Sequence, residues 1–156
     1  MIIPMRISRR PEPISMRIVI DTNVIIDVLS KRKNFYEDSL KILKLCETNQ
    51  VEGFVSALSI ANIVYILRKE LNSEETKRII TLLSNILTID DLKGDDLIKA
   101  SIADELDFED ELQMVSAKRV KADFIVTRDA KHFANSPIPI ISPTELLSIF
   151  TQTVLS

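Results

Sequence analysis

The sequence has very few residues of the types that build several common functional sites. Its 156 residues include a single cysteine, Cys46, and a single histidine, His132. One cysteine cannot form an intrachain disulfide and fits a reducing cytoplasm. One cysteine and one histidine are also too few for a zinc site built from thiolates and imidazoles. Because Cys46 lies in an apolar helical stretch, we expect a buried structural thiol rather than a nucleophile.

Glycine and long apolar runs are scarce as well, and the chain has no excess of basic charge. The two glycines, Gly53 and Gly94, are isolated, which excludes glycine-rich loops that cradle phosphates. No apolar stretch approaches the roughly 18 residues that a membrane helix needs, so the sequence predicts a soluble protein without a membrane partner. A net charge of −3 argues against non-specific nucleic-acid binding by the whole surface, although a local basic rim is compatible with it.

The composition is that of a folded domain. Hydrophobic residues make up 46% of the chain, which excludes a disordered protein. We place a single domain at residues 16–150, between an N-terminal tail, 1–15, and a C-terminal tail, 151–156. The N-terminal tail holds three prolines and three arginines and lacks the apolar core of a secretory signal. We expect it to be flexible or an over-extended start, because Met16 directly precedes the first strand.

Short β-branched runs alternate with segments of 3.6-residue periodicity, which indicates strands separated by helices. We predict strands at 17–20, 53–56, 86–89, 124–127 and, short, 138–141. Helices are predicted near 24–29, 36–48, 60–70, 73–85, 94–106, 108–121 and after Ser142. This order predicts a three-layer α/β/α sandwich with a central, mostly parallel sheet of four or five strands.

Three aspartates stand where such a fold exposes a carboxylate. Asp21 follows the first strand, Asp129 follows the fourth, and Asp110 opens a helix between them in sequence. In open α/β sheets the ligand crevice lies at the carboxyl ends of the strands. Carboxylates gathered there repel one another unless a cation sits between them. The pattern therefore predicts a metal site.

Each acid also has a simpler structural explanation. Asp21 can cap the helix that follows it, and Asp107 and Asp110 can complement the dipole of theirs. Asp129 can precede a turn, in which His132 is an ordinary loop residue. Capping explains any one of these residues but not the matching acids elsewhere.

Several segments together resemble a PIN domain. They are Ile-Val-Ile-Asp-Thr-Asn at 18–23, Ser-Ala-Leu-Ser-Ile-Ala-Asn at 56–62, Asp-Phe-Glu-Asp at 107–110 with Gln113 and Ala117, Ile-Val-Thr-Arg-Asp at 125–129 with Phe133, and Ile-Ile-Ser-Pro at 140–143. Each motif is weakly specific, but their order and spacing cover most of the chain. The resemblance implies an α/β/α sandwich that cleaves RNA with Mg²⁺ or Mn²⁺. It also implies an antitoxin partner and a homodimer, since many bacterial and archaeal members are toxins of toxin–antitoxin pairs.

The resemblance assigns roles to particular residues. Asp21, Asp110 and Asp129 match the metal-binding acids, and Asn23 would orient an acid or a water. Carboxylate ligands of this kind suit Mg²⁺ or Mn²⁺. Such a metal activates water for attack on phosphorus, which leaves a 5′-phosphate and a 3′-hydroxyl.

The chain departs from the family at one position. Members usually carry a glutamate in the helix after the second strand, where this chain has Asn62. An asparagine can ligate or contact substrate but brings no charge, so cation binding should weaken. We expect Asp107 to compensate as a metal ligand, because it shares a helix face with Asp110, and Glu109 to point elsewhere.

An RNA substrate needs basic contacts near these acids. The candidates are Arg128, beside Asp129, and Lys31 and Arg32 in the loop after the first helix. Arg128 is the preferred candidate because its neighbour is fixed at a strand end.

Other enzyme classes fit less well. A haloacid-dehalogenase-type phosphatase needs Asp-x-Asp, but position 23 is asparagine, and a response-regulator receiver needs an acid pair that is absent here. The stronger alternative is a PIN-like module that binds RNA or a protein without cutting, which Asn62 favours.

Overall fold

The computed structural model describes residues 15–103 and 107–155. Strands and helices alternate along this part of the chain, as the sequence predicts. The strands are β1 (Arg17–Ile20), β2 (Glu52–Ser56), β3 (Thr88–Asp90), β4 (Phe124–Val126) and β5 (Ile140–Ile141). The helices are α1 (Thr22–Leu29), α2 (Tyr36–Glu47), α3 (Ala57–Ile66), α4 (Ser73–Ile86), α5 (Gly94–Ile102), α6 (Phe108–Arg119) and α7 (Pro143–Leu155), with a 3₁₀ turn at Ala130–Phe133.

The five strands form one parallel sheet in the order β3-β2-β1-β4-β5. Strand β1 is central, and Ile18 pairs with Gly53 on one side and with Phe124 on the other. The chain therefore leaves β1 towards β2 and β3 and later returns to the opposite side of β1 for β4. Ligand sites form where the strand order reverses in this way. The carboxyl ends of β1 and β4 lie side by side at this point.

Alternate residues of the strands face two separate cores. Ile18 and Ile20 pack into a large cluster with α1, α2, α3, α4 and α7. Val19 and Ile125 pack into a smaller cluster with Met114 of α6 and with the 3₁₀ turn. Because successive strand side chains point to opposite faces, helices cover both sides of the sheet. This confirms the predicted α/β/α sandwich.

Glycine is required at one point of this packing. A Cβ atom added at Gly53 would lie 2.5 Å from Cys46 Sγ and 2.6 Å from a methyl group of Leu87. Strand β2 therefore packs closer to α2 than any other residue would permit. Cys46 itself is buried, as expected, and its burial raises the pKa of the thiol to about 12.

Several element boundaries differ from the predicted ones. Helix α3 begins at Ala57, since Ser56 caps it and Ser59 donates its backbone N–H to Ser56 Oγ. The predicted strand at 86–89 begins only at Thr88, because Ile86 completes α4. Helix α5 ends at Ile102 rather than 106, and residues 104–106 lie outside the described part.

The structure describes the two predicted tails to different extents. The N-terminal tail, 1–15, falls outside the described residues apart from Ser15. Helix α7 continues to Leu155, so the predicted C-terminal tail, 151–156, includes the last turn of this helix. Within 15–103 and 107–155, no helix combines the length and apolar character needed to cross a membrane.

Candidate functional site

Asp21 lies at the junction of β1 and α1 and is held by three donors. It is the N-cap of α1, and its Oδ1 accepts from the Thr22 backbone N–H at 2.8 Å and from Gln113 Nε2 at 2.6 Å. Its Oδ2 accepts from Thr127 Oγ1 at 2.7 Å. The capping explanation is therefore correct for this residue, but the cap uses only one of the three bonds. The other two donors come from α6 and the end of β4, and they fix the orientation of the carboxylate.

Thr127 connects the end of β4 to α1. Its buried hydroxyl donates to Asp21, and accepts from Asn23 Nδ2 at 3.3 Å and from the backbone N–H of Asp129 at 3.0 Å. A hydroxyl has one donor and two acceptor positions, so this one is fully used. Asn23 also accepts from the backbone N–H of Arg128 at 3.4 Å. Asn23 thus orients the segment that carries Asp129.

Asp110 lies in the first turn of α6, which Asp107 caps. Asp107 Oδ1 accepts the backbone N–H of Asp110 at 3.0 Å. Burial of the Asp110 carboxyl, together with the neighbouring Asp107 and Asp21 carboxylates, raises its pKa from 3.8 to about 7, and His132 offsets only part of this. The surroundings of this carboxyl therefore disfavour its ionised form.

His132 stands between two of the acids. Its Nε2 is 3.2 Å from Asp129 Oδ2, and its Nδ1 is 4.0 Å from Asp110 Oδ2. The Asp129 side chain is 44% exposed and His132 is 57% exposed, so both are free to reorient. The sequence interpretation of His132 as an ordinary loop residue misses this contact, because it depends on the 3₁₀ turn.

The three acids border one cleft of about 350 Å³. Other residues singled out in the sequence border it too, and so does Glu109, contrary to expectation. Glu109 reaches the cleft because α6 begins there, so that side chains from several positions of its first turn face it. The lining consists of Asp21, Thr22, Asn23, Ile26, Arg32, Leu58, Ser59, Asn62, Ile66, Asp107, Glu109, Asp110, Gln113, Asp129 and His132.

Two basic residues proposed from the sequence do not line this cleft. Lys31 is exposed in a left-handed loop conformation with φ of 47°. Arg128 points to the other side of its segment, where its Nε and Nη2 bind the carboxylate of Asp27. Its guanidinium also stacks 4.1 Å from the centre of the Phe35 ring. Asp27 is fully buried, and a buried carboxylate requires a cationic partner. Arg32 lies 3.7 Å from the same carboxylate.

Sequence reasoning gave Gln113 and Thr127 no role, although both bind Asp21. The signal for Gln113 was its position three residues after Asp110, which places both on one helix face. Its Oε1 is buried and has no hydrogen-bond partner within the described part of the chain. Gln113 therefore offers a further oxygen at the site.

The side chains are not gathered around a common point. Within residues 15–103 and 107–155, no three His, Cys, Asp or Glu side chains stand close enough to hold a metal ion together. The cleft nevertheless supplies hard oxygen donors, which are the ligands that Mg²⁺ and Mn²⁺ prefer. The oxygen donors of the cleft therefore fit such a cation, but their side chains would have to move before they could bind it together.

Comparisons with known proteins bear on both fold and site. A family model described as PIN domain matches residues 17–131, the segment that contains Asp21, Asp110 and Asp129. No curated protein matches the chain.

Solved structures match over most of their length. A toxin–antitoxin complex from Klebsiella pneumoniae is 21% identical, with a TM-score of 0.61 over 80% of this chain and 96% of the other. VapBC2 from Rickettsia felis, bound to a DNA fragment from its promoter, is 18% identical, with a TM-score of 0.61 over 81% of this chain and 98% of the other. PAE2754 from Pyrobaculum aerophilum is 14% identical, with a TM-score of 0.59 over 88% of this chain and 90% of the other. At these identities the likeness is one of fold.

Proposed function

The chain belongs to the PIN domain family, and on that basis we propose that it is a metal-dependent ribonuclease that hydrolyses RNA phosphodiester bonds with Mg²⁺ or Mn²⁺. PIN domains are typically nucleases. The observation that carries the proposal is that Asp21, Asp110 and Asp129, from three separate segments, border one cleft where the strand order reverses.

The donor chemistry supports a divalent cation. Asp21 is already held in one orientation by three donors. Burial and the neighbouring Asp107 and Asp21 carboxylates raise the pKa of Asp110 to about 7, and a bound cation would favour its ionised form. Asp129 borders the cleft beside His132, and its exposed side chain can turn towards a cation held by the other two acids. Asp107 and Glu109 offer further carboxylates at the rim in place of the charge that Asn62 lacks.

The residues of the chain have distinct tasks in this scheme. Asp21, Asp110 and Asp129 hold the cation. Thr127 and Asn23 set the distance between Asp21 and Asp129. A bound Mg²⁺ or Mn²⁺ supplies an activated water and stabilises charge that develops on the phosphate.

Residues at the rim of the cleft are the candidates for contacts with the substrate. We propose that Arg32, whose side chain is 46% exposed and borders the cleft, contacts an RNA phosphate, and that Asn62 contacts the substrate through its amide.

The relatives suggest the biological setting. One of the similar structures is described as a toxin–antitoxin complex, and we extend this to the chain as a toxin with an antitoxin partner, acting as a homodimer. A basic antitoxin segment inserted beside the acids would block the cleft.

The test is cleavage of a single-stranded RNA in Mn²⁺, in Mg²⁺ and in excess chelator. We expect cleavage by the wild type only with metal, and a loss of at least about 100-fold in Asp21→Asn and Asp129→Asn. Asp95→Asn is the matched control, because Asp95 is an exposed acid in the first turn of α5 that does not border the cleft. Cleavage without metal, or cleavage by both cleft variants, would contradict the proposal.

A second candidate function is binding of RNA or a protein without cutting. Two observations favour it: Asn62 replaces the usual glutamate, and no three acidic or histidine side chains of the described chain already stand as a ligand set. Calorimetric titration of Mn²⁺ into wild type and Asn62→Glu separates the two. The nuclease predicts binding that tightens in the variant, whereas RNA binding without any metal affinity or cleavage supports the module.

A further inference from the structure

A second pocket lies on the other side of the segment that carries Arg128 and Asp129, and it has no part in the proposed hydrolysis. Its volume is about 150 Å³, and it is lined by Asn34, Phe35, Asp38, Ser39, Arg128, Ser142, Pro143 and Thr144. Two segments contribute to both cavities: Arg128 lines the pocket and Asp129 the cleft, while Asn34 lines the pocket and Arg32 the cleft. We propose that this pocket binds one unpaired nucleobase of the RNA whose backbone enters the cleft. The inference rests on the proposed function.

The pocket offers a flat, aromatic surface. Phe35 is 42% exposed, although it is a large apolar side chain, and the guanidinium of Arg128 stacks on its ring. The ion pair with Asp27 fixes the plane of that guanidinium. Bases of single-stranded nucleic acids stack on aromatic rings and on arginine planes of this kind.

The polar groups of the pocket are incompletely used. The Ser39 side chain is buried, with the residue 1% exposed, and its hydroxyl has no hydrogen-bond partner within the described residues. Buried hydroxyls without a partner are rare in folded proteins. Asp38 uses Oδ2 to accept from Thr144 at 2.7 Å, and among the described residues its Oδ1 accepts no hydrogen bond. A hydroxyl and a carboxylate oxygen beside an aromatic ring suit the hydrogen-bonding edge of a base.

Charge and size favour a base over an anion. The charge of Arg128 is already balanced by the buried carboxylate of Asp27, and Asp38 would repel a phosphate. A volume of 150 Å³ is well below the roughly 300–1,000 Å³ of pockets for larger ligands. One planar ring system fits these limits better than a whole nucleotide.

The experiment is an abasic scan of a short single-stranded RNA that the protein cleaves at one bond. Substrates that lack one base at each position around that bond are compared for kcat/KM with wild type and Phe35→Leu. Tyr65→Leu is the matched control, because Tyr65 is also exposed and carries a stacked arginine, Arg68, at 3.9 Å, but it lines neither cavity.

We expect one abasic position to lower kcat/KM about tenfold in wild type and Tyr65→Leu. In Phe35→Leu the intact RNA should already be cleaved about tenfold more slowly, and the same abasic position should have no further effect, since both changes remove one interaction. Unchanged circular dichroism establishes that Phe35→Leu is folded. If it is not, Ser39→Ala takes its place, with an expected loss of about threefold. Equal abasic effects in wild type and pocket variant, or none at any position, would overturn the inference.

Failure of the proposed function is a separate outcome. If the wild type does not cleave RNA under any condition, the base pocket is tested by RNA binding instead. The readout is the fluorescence of 2-aminopurine in a single-stranded RNA. Quenching that is lost in Phe35→Leu but kept in Tyr65→Leu supports a base pocket in a protein that does not cut. Quenching that Phe35→Leu leaves unchanged, or its absence in wild type, overturns the inference.

Discussion

Thr127 Oγ1 donates a 2.7 Å hydrogen bond to Asp21 Oδ2, so the residue that follows β4 directly holds the residue that follows β1. The same hydroxyl accepts the backbone N–H of Asp129. One buried oxygen atom therefore sets the relation between two of the three acids in the cleft. Its loss should affect the site more than the core.

Replacing this hydroxyl by a methyl group tests that relation. We expect Thr127→Val to lower metal-dependent RNA cleavage about 10- to 100-fold and the free energy of unfolding by about 1–3 kcal/mol, because a buried carboxylate oxygen loses its donor. Thr127→Ser keeps the hydroxyl and should retain activity within a few-fold. Urea denaturation and cleavage rates measure the two effects. A fully active Thr127→Val would mean that Asp21 is positioned by its other two donors.

The raised pKa of Asp110 predicts an unusual dependence of stability on pH. Because its pKa is about 7 in the folded protein and near 3.8 in its ordinary state, the folded state binds the proton more tightly between these values. The resulting stabilisation is present at pH 4 and is lost as pH rises through 7. In chelator at pH 8, Asp110→Asn should therefore unfold with a free energy on the order of 1–3 kcal/mol higher than wild type.

The same variant should resemble wild type at pH 3, where the carboxyl is largely neutral in both states because this pH lies below both pKa values. The measurement is urea denaturation at the two pH values, with Asp95→Asn as a control that should show no pH-dependent difference. Added Mn²⁺ at pH 8 should stabilise wild type more than Asp110→Asn. A variant less stable than wild type at pH 8 without metal would refute this account of the cleft.

The ion pair between Asp27 and Arg128 should be costly to break from one side. Asp27 is fully buried, so Arg128→Met leaves a carboxylate whose one remaining cationic neighbour among the described residues is Arg32, 3.7 Å away. We expect a loss of about 2–4 kcal/mol in the free energy of unfolding. The double variant Asp27→Asn with Arg128→Met removes the charge as well and should recover at least half of it. Additive losses in the double variant would show that the two side chains do not depend on each other.

Gln113 offers a way to make folding depend on metal. Its Nε2 donates to Asp21 at 2.6 Å, and Gln113→Glu would place a carboxylate there instead. We expect the variant to be about 1–2 kcal/mol less stable in chelator, because two carboxylates then face each other. Saturating Mn²⁺ should restore at least half of the loss, measured as the Tm. Gln113→Leu also loses the hydrogen bond, but without adding charge, and metal should not restore its stability.

The sequence predicted the parts of the fold that depend on local pattern. The β-branched runs before Asp21 and Asp129 are strands, and the sheet is parallel, because helices separate the strands. The sequence could not predict that β4 pairs with β1, since this depends on packing between distant segments. The predicted strand at 86–89 was misplaced because Ile86 suits a helix and a strand equally, and its contacts in α4 decide between them.

Arg128 shows why neighbours in sequence need not share a site. The chain bends at Arg128, directly after β4. Thr127 binds Asp21 and Asp129 borders the acidic cleft, whereas Arg128 between them binds Asp27 and stacks on Phe35. The orientation of Arg128 is set by the buried carboxylate of Asp27. Nothing in the sequence distinguishes Asp27 from an ordinary polar residue of α1.

The distance along the chain between Asp21 and Thr127 has a consequence for biosynthesis. The bond between them spans 106 residues, and β4 reaches its place beside β1 only after most of the chain has been made. A nascent or truncated chain that ends before Phe124 contains Asp21 and Asp110 but lacks both Thr127 and Asp129. Contacts of such long range form late in folding. Under the proposed function, a chain that is still being translated has an incomplete site, so we expect only finished molecules to cleave RNA, the messenger that encodes them included.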